Sequence, residues 1–168
     1  MYHAKIVSVS ALLSPRRYRR MRAFLASSFD KLFVDDRSHY YCPGNNEVRY
    51  GIDALTDAMQ CLEPALDLTR VLKEVVFLMA AEEWDAEKHV FIVIDDIPSL
   101  ALFGQELQQA ISLDEQENAH CIFHVLHIGE DALVRDACEQ NGVEYVSLPD
   151  DPPTVAQAIR DHYRDFNR

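Results

Sequence analysis

HVFIVIDDIPS, residues 89–99, decides the fold. Val90 to Ile94 is an unbroken β-branched or aromatic run with no polar alternation, the pattern of a short strand buried on both faces of a parallel sheet. It ends in two adjacent carboxylates, Asp95 and Asp96. In open α/β sheets ligands bind in the crevice beyond the carboxyl ends of the strands. The aspartate pair therefore stands where a site is expected.

Working outward from this strand, residues 98–111 read as a helix carrying Leu100, Leu102, Leu107 and Ile111. Residues 121–128 read as the next strand, 131–140 as a helix closed by Asn141-Gly142, and 144–148 as a final strand. A last helix starts at 150–153 and ends near Phe166. Upstream, residues 4–9 are a first strand, and Ser14-Pro15 is an N-cap with proline at the first helical position. The helix they open runs to about Leu32, with Tyr18, Met21, Leu25, Ser28 and Phe29 on one stripe.

Residues 39–42 and 48–51 flank Pro43-Gly44-Asn45-Asn46, which reads as an antiparallel hairpin. Residues 52–62 and 68–83 read as helices, the second with Leu72, Val75, Val76 and Met79 on one face. Strands alternating with helices imply parallel pairing through right-handed crossovers. The expected architecture is one domain over residues 1–168, an α/β/α three-layer sandwich with a mostly parallel, Rossmann-like sheet and an antiparallel edge strand.

Composition narrows the function. A hydrophobic fraction of 48% and a charged fraction of 26% belong to an ordinary globular chain. The net charge of −12 argues against nucleic acid, because neutralising phosphates needs a basic footprint. No apolar stretch approaches the roughly 20 residues of a membrane span, and the N-terminus lacks the pattern of a signal peptide. Cys42, Cys61, Cys121 and Cys138 form no CxxC pair. These features point to an intracellular or cytoplasmic, reduced protein without membrane partners.

The order of elements resembles a von Willebrand factor A domain, the integrin inserted-domain fold. IVSVSALLSPRRYRRMRAFLASSFDKL is similar to that family's first strand and helix, and ALDLTRVLKEVVFLMA to its threonine loop and following helix. HVFIVIDD resembles the fourth strand, and FHVLHIGEDALVRDACEQNGVEYVSLPD the following strand–helix–strand run. The family's metal-ion-dependent adhesion site uses Asp-x-Ser-x-Ser after the first strand, a threonine and an aspartate. Aligned on Ser14-Pro15, this chain offers Ser8, Ser10 and Leu12, then Thr69 and Asp96. Ser8 replaces the metal-bearing aspartate and Leu12 one hydroxyl, so the implied site is degenerate.

Ser10, Thr69 and Asp96, aided by Asp95 and Glu130, still offer hard oxygens of the kind Mg²⁺ requires. Against them stand Arg16 and Arg17 on the same end of the sheet, with Arg19, Arg20 and Arg22 beyond. The expectation is that Arg16 or Arg17 pairs with Asp95 or Asp96 in place of a metal. The resemblance thus implies a non-catalytic scaffold, a protein–protein interaction or assembly subunit of a larger complex needing no cofactor. Its contact residues are expected at Ser10, Arg16, Arg17, Thr69, Asp95, Asp96 and Glu130.

Two other classes stay open: a Mg²⁺-dependent adhesion domain holding its cation on Ser10, Thr69 and Asp96, and a nucleotide-binding protein or enzyme using Asp95 and Asp96. The second requires a glycine-rich phosphate loop, and the chain has only 5 glycines and no such motif. His120, His124 and His127 invite a metal reading, but strand geometry puts His120 and His124 on one face and His127 on the other. Trp84, with Glu82 and Glu83, falls in an acidic loop before the central strand.

Overall fold

The computed structural model describes residues 5–32, 38–42, 47–50, 68–81, 87–95 and 102–164. In chain order these form β1 (Lys5–Leu12), α1 (Pro15–Leu32), β2 (Ser38–Cys42), β3 (Glu47–Tyr50), α2 (Leu68–Ala80) and β4 (Glu87–Ile94). They continue with α3 (Phe103–Glu117), β5 (Cys121–Ile128), α4 (Ala132–Gln140), β6 (Glu144–Leu148) and α5 (Pro152–Tyr163). The strands make one six-stranded sheet in the order β3-β2-β1-β4-β5-β6. β2, β1, β4, β5 and β6 pair in parallel, while β3 runs antiparallel to β2 at the edge. The Ile52–Leu62 helix, the Pro43–Asn46 turn, Trp84, Phe29 as a core side chain and Asp96 all lie outside the described residues.

β4 is central because its residues can be buried on both sides: Val90 through Ile94 have no exposed surface. Alternate side chains serve opposite layers. Val90, Ile92 and Ile94 join Leu72, Val75, Val76 and Met79 of α2, Phe103 and Leu107 of α3, and Val134 and Cys138 of α4 in one core cluster. On the other face Phe91 stacks on His124 with ring centroids 4.4 Å apart and meets Tyr163 edge-on at 5.3 Å. α1 packs on α5 there and buries Tyr18, Met21, Leu25 and Ser28. The result is an α/β/α sandwich.

Local chemistry sets the helix ends. Asp131 accepts from the backbone N–H groups of Leu133 and Val134 at 2.9 and 3.1 Å, capping α4. Gly142, at φ 66, turns the chain after α4 and lets Val143 N–H reach the Cys138 carbonyl at 2.8 Å. Asp151 accepts from Thr154 N–H at 3.2 Å, with proline opening α5.

Among the boundaries that differ from the sequence expectation, α2 ends at Ala80 rather than at 83, and two others have a clear physical reason. α3 continues past Ile111 to Glu117, because the next buried position on its stripe is Asp114 rather than a hydrophobe. That carboxylate accepts the backbone N–H of Cys121 at 3.0 Å and ties the helix end to β5. β1 runs to Leu12 rather than Val9, since its parallel ladder with β4 extends to the pair Leu12 and Ile94. Among the described residues no helix is long and apolar enough to cross a membrane.

Candidate functional site

The longer β1 shortens the connection to α1 to Leu13 and Ser14. Leu13 is buried, and the Ser14 backbone N–H donates to Asp95 Oδ2 at 2.8 Å, joining the ends of the two central strands. Pro15 then starts the helix with no N–H of its own to satisfy. The Asp95 carboxylate thus sits close to the positive N-terminal end of α1, where negative charge is favoured.

Arg17, on the first turn of α1, extends back over this junction. Its Nη1 lies 3.3 Å from Asp95 Oδ2, and its Nη2 donates to Asp150 Oδ2 at 3.0 Å. Arg20, one turn further, also pairs with Asp150. Asp95 has no exposed surface, and its second oxygen, Oδ1, is buried with no hydrogen-bond partner among the described residues. A carboxylate removed from water is costly unless a charge is paired with it, and Arg17 supplies that charge. Asp150 is half-exposed, and the Arg17 hydrogen bond, reinforced by Arg20, holds its carboxyl below the ordinary range. Burial works to lower the Arg17 pKa, yet the hydrogen bond and charge of Asp150, with Asp95 behind them, leave it raised.

Ser14, Arg16, Arg17, Arg20, Asp95 and Asp150 line a cleft of about 410 Å³. Of the residues named from sequence, the structure brings Arg16, Arg17 and Asp95 into this cleft. Ser10, Thr69 and Glu130 stand apart from it, and Asp96 lies outside the described residues. Ser10 pairs in register with Ile92, three residues short of Asp95 along the ladder, or about 10 Å at the rise of a strand. Thr69 is exposed and lines a separate groove of about 620 Å³ between α2 and α3, with Leu72, Gln105 and Leu113. Glu130 is exposed and pairs with Arg135 at 2.6 Å.

Among the described residues, the arrangement around Asp95 does not fit a divalent cation; Asp96, the aspartate that the resemblance aligns with the metal site, lies outside them. Asp95 Oδ2 is already shared between a guanidinium and a backbone N–H, and the backbone of Ser10 pairs with Ile92, three residues back along the ladder. A unit positive charge placed 4 Å from Arg17 is opposed by about 4 kcal/mol at an effective dielectric of 20, and a dication by about twice that. Among the described residues no group of three or more His, Cys, Asp or Glu side chains is arranged to hold a metal.

The histidines also separate. His120 lies ahead of β5 at φ 57 and is exposed, so it shares no strand face with His124. His127 points to the opposite layer, where its Nδ1 is 2.8 Å from the Tyr145 hydroxyl.

Sequence reasoning missed Arg20, Asp150 and the Ser14 backbone. A signal for the first two was present. Arg17 and Arg20 are three apart and share a helix face. Asp151 alone suffices to cap α5, which leaves the neighbouring Asp150 free for another task.

An open, mostly parallel α/β/α sandwich with a polar cleft beyond its strand ends is therefore the class of this protein. No family model and no curated protein sequence matches the chain. Among solved structures it is similar to the human COPII-coat protein Sec24c, with a TM-score of 0.59 at 7% identity over 97% of this chain and 32% of that one. It is also similar to the pilus adhesin SpaC from Lactobacillus rhamnosus GG in an open conformation, with a TM-score of 0.57 at 10% identity over 98% of this chain and 30% of the adhesin. The chain spans about a third of the length of each, and the likeness is one of fold.

Proposed function

We propose that this chain is a von Willebrand factor A-like domain whose adhesion site is degenerate, and that it works as a non-catalytic protein-interaction module within a larger assembly. The ion pair between Arg17 and Asp95 carries this reading. A fixed guanidinium stands against the carboxylate at the end of the central strand, so the cleft presents charge supplied by the protein itself. Arg16, Arg19 and Arg20 are exposed beside it, a local basic surface on a chain whose net charge is −12. Such a surface suits a short acidic segment of a partner protein, because electrostatic complementarity speeds encounter and fixes register.

The test is photo-crosslinking from position 16 in a lysate of the source organism, with the double variant Arg16→Glu and Arg20→Glu as control. A discrete protein adduct that the double variant loses supports the reading. Adducts that are equally abundant with both forms contradict it.

A further inference from the structure

At the end of the sheet opposite Asp95, β4 and β5 bring two buried histidines together. His89 Nδ1 lies 2.9 Å from His124 Nε2, and the rings stack with centroids 5.1 Å apart. Each outer nitrogen meets a carboxylate: His89 Nε2 is 2.6 Å from Glu87 Oε1, and His124 Nδ1 is 2.8 Å from Glu144 Oε1. Neither strand end belongs to the cleft described above, so the pair has no part in the proposed docking.

Counting protons along this row restricts what it can hold. A carboxylate oxygen only accepts, so each outer nitrogen must carry an N–H. A neutral imidazole has one N–H, so two neutral rings would turn lone pairs at each other across 2.9 Å. Two imidazolium rings would turn two N–H groups at each other. Only one extra proton between the inner nitrogens makes that contact a hydrogen bond. We infer that His89 and His124 hold three protons on their four nitrogens, a single imidazolium shared by two rings and flanked by two carboxylates.

The surroundings fit this count. Glu144 is pulled down to about 2, chiefly by the His124 hydrogen bond, with Tyr163 and His162 of α5 also contributing. It is thus a carboxylate, and the Tyr163 hydroxyl donates to the same oxygen at 2.5 Å. Lys5 holds the register position of Glu87 on β1, while Lys88 of β4 alternates to the opposite face, where it acts on Cys121. From α5, His162 Nε2 lies 3.5 Å from the other Glu144 oxygen. Phe91 stacks on His124 and keeps that ring's face from water. The pair acts as a proton-dependent tie between β4 and β5: gain or loss of one proton removes it.

Long-range ¹H–¹⁵N correlation spectra of the full, uniformly ¹⁵N-labelled chain at pH 7 test this directly. The expected pattern is N–H character at His89 Nε2 and His124 Nδ1, with the two inner nitrogens at averaged shifts between protonated and lone-pair values. Two neutral rings, two full imidazoliums, or a lone pair at His89 Nε2 would each overturn the inference. In His124→Phe, which keeps an aromatic ring against Phe91, the averaged signal at His89 is expected to disappear. Persistence of that signal without His124 also overturns it, and the wild-type spectrum decides the matter if the variant does not fold.

Discussion

The Arg17 guanidinium on the first turn of α1 and the buried Asp95 carboxylate at the end of β4 form an ion pair at 3.3 Å, and Asp150 holds the outer side of the same guanidinium. α1 is thereby anchored over the strand ends by charge as well as by Tyr18, Met21 and Leu25 beneath it. The same contact occupies Asp95 Oδ2, one of the oxygens that could have aided a cation at this end of the sheet.

Removing Arg17 leaves a buried carboxylate without its counter-charge. Arg17→Met is expected to cost about 3 kcal/mol, the low end for breaking a buried pair because Arg17 keeps partial exposure. Urea unfolding measures this. Asp95→Leu combined with Arg17→Met is expected to recover much of the loss, so that the two single effects do not add. Strict additivity would mean that the pair carries no coupling.

Glu144 makes stability depend on acid. Its folded-state value of about 2 lies below its ordinary 4.5. Its contribution is therefore fully present above about 4.5 and is lost as pH falls toward about 2. Thermal midpoints of wild type and Glu144→Gln are expected to differ at pH 7 and to converge through that window. A gap unchanged at pH 2.5 would contradict the pairing.

Gly142 ends α4 in the left-handed region at φ 66. A Cβ there meets nothing within 4 Å, so the cost of Gly142→Ala is conformational and not steric. It is expected at about 1 kcal/mol, read as a lowered urea midpoint with the slope unchanged.

The run from β5 to β6 was legible because its apolar strands, its Asp131 cap and its Asn141-Gly142 stop all act locally. α3 was read short because Asp114 takes a core position for a backbone bond that no periodicity announces. At the site, Arg17 and Asp95 could be matched because both follow from strand and helix ends at one edge of the sheet. Ser10 falls within β1 because the ladder with β4 continues to Leu12, past the strand end that the apolar pattern marks at Val9. Asp150 reaches the cleft only because α5 folds back against α1, a tertiary contact that pattern alone does not carry.

The claim that a guanidinium stands where a cation would sit is tested most directly by the thermal midpoint of the purified chain, measured in chelator and then in excess Mg²⁺, Mn²⁺ or Ca²⁺. Saturation at about 100 times the dissociation constant adds roughly 2.7 kcal/mol, which raises the midpoint by several degrees in a domain of this size. The structure predicts no shift with any of the three ions. A rise of several degrees that Asp95→Asn abolishes would contradict it and return the site to metal binding.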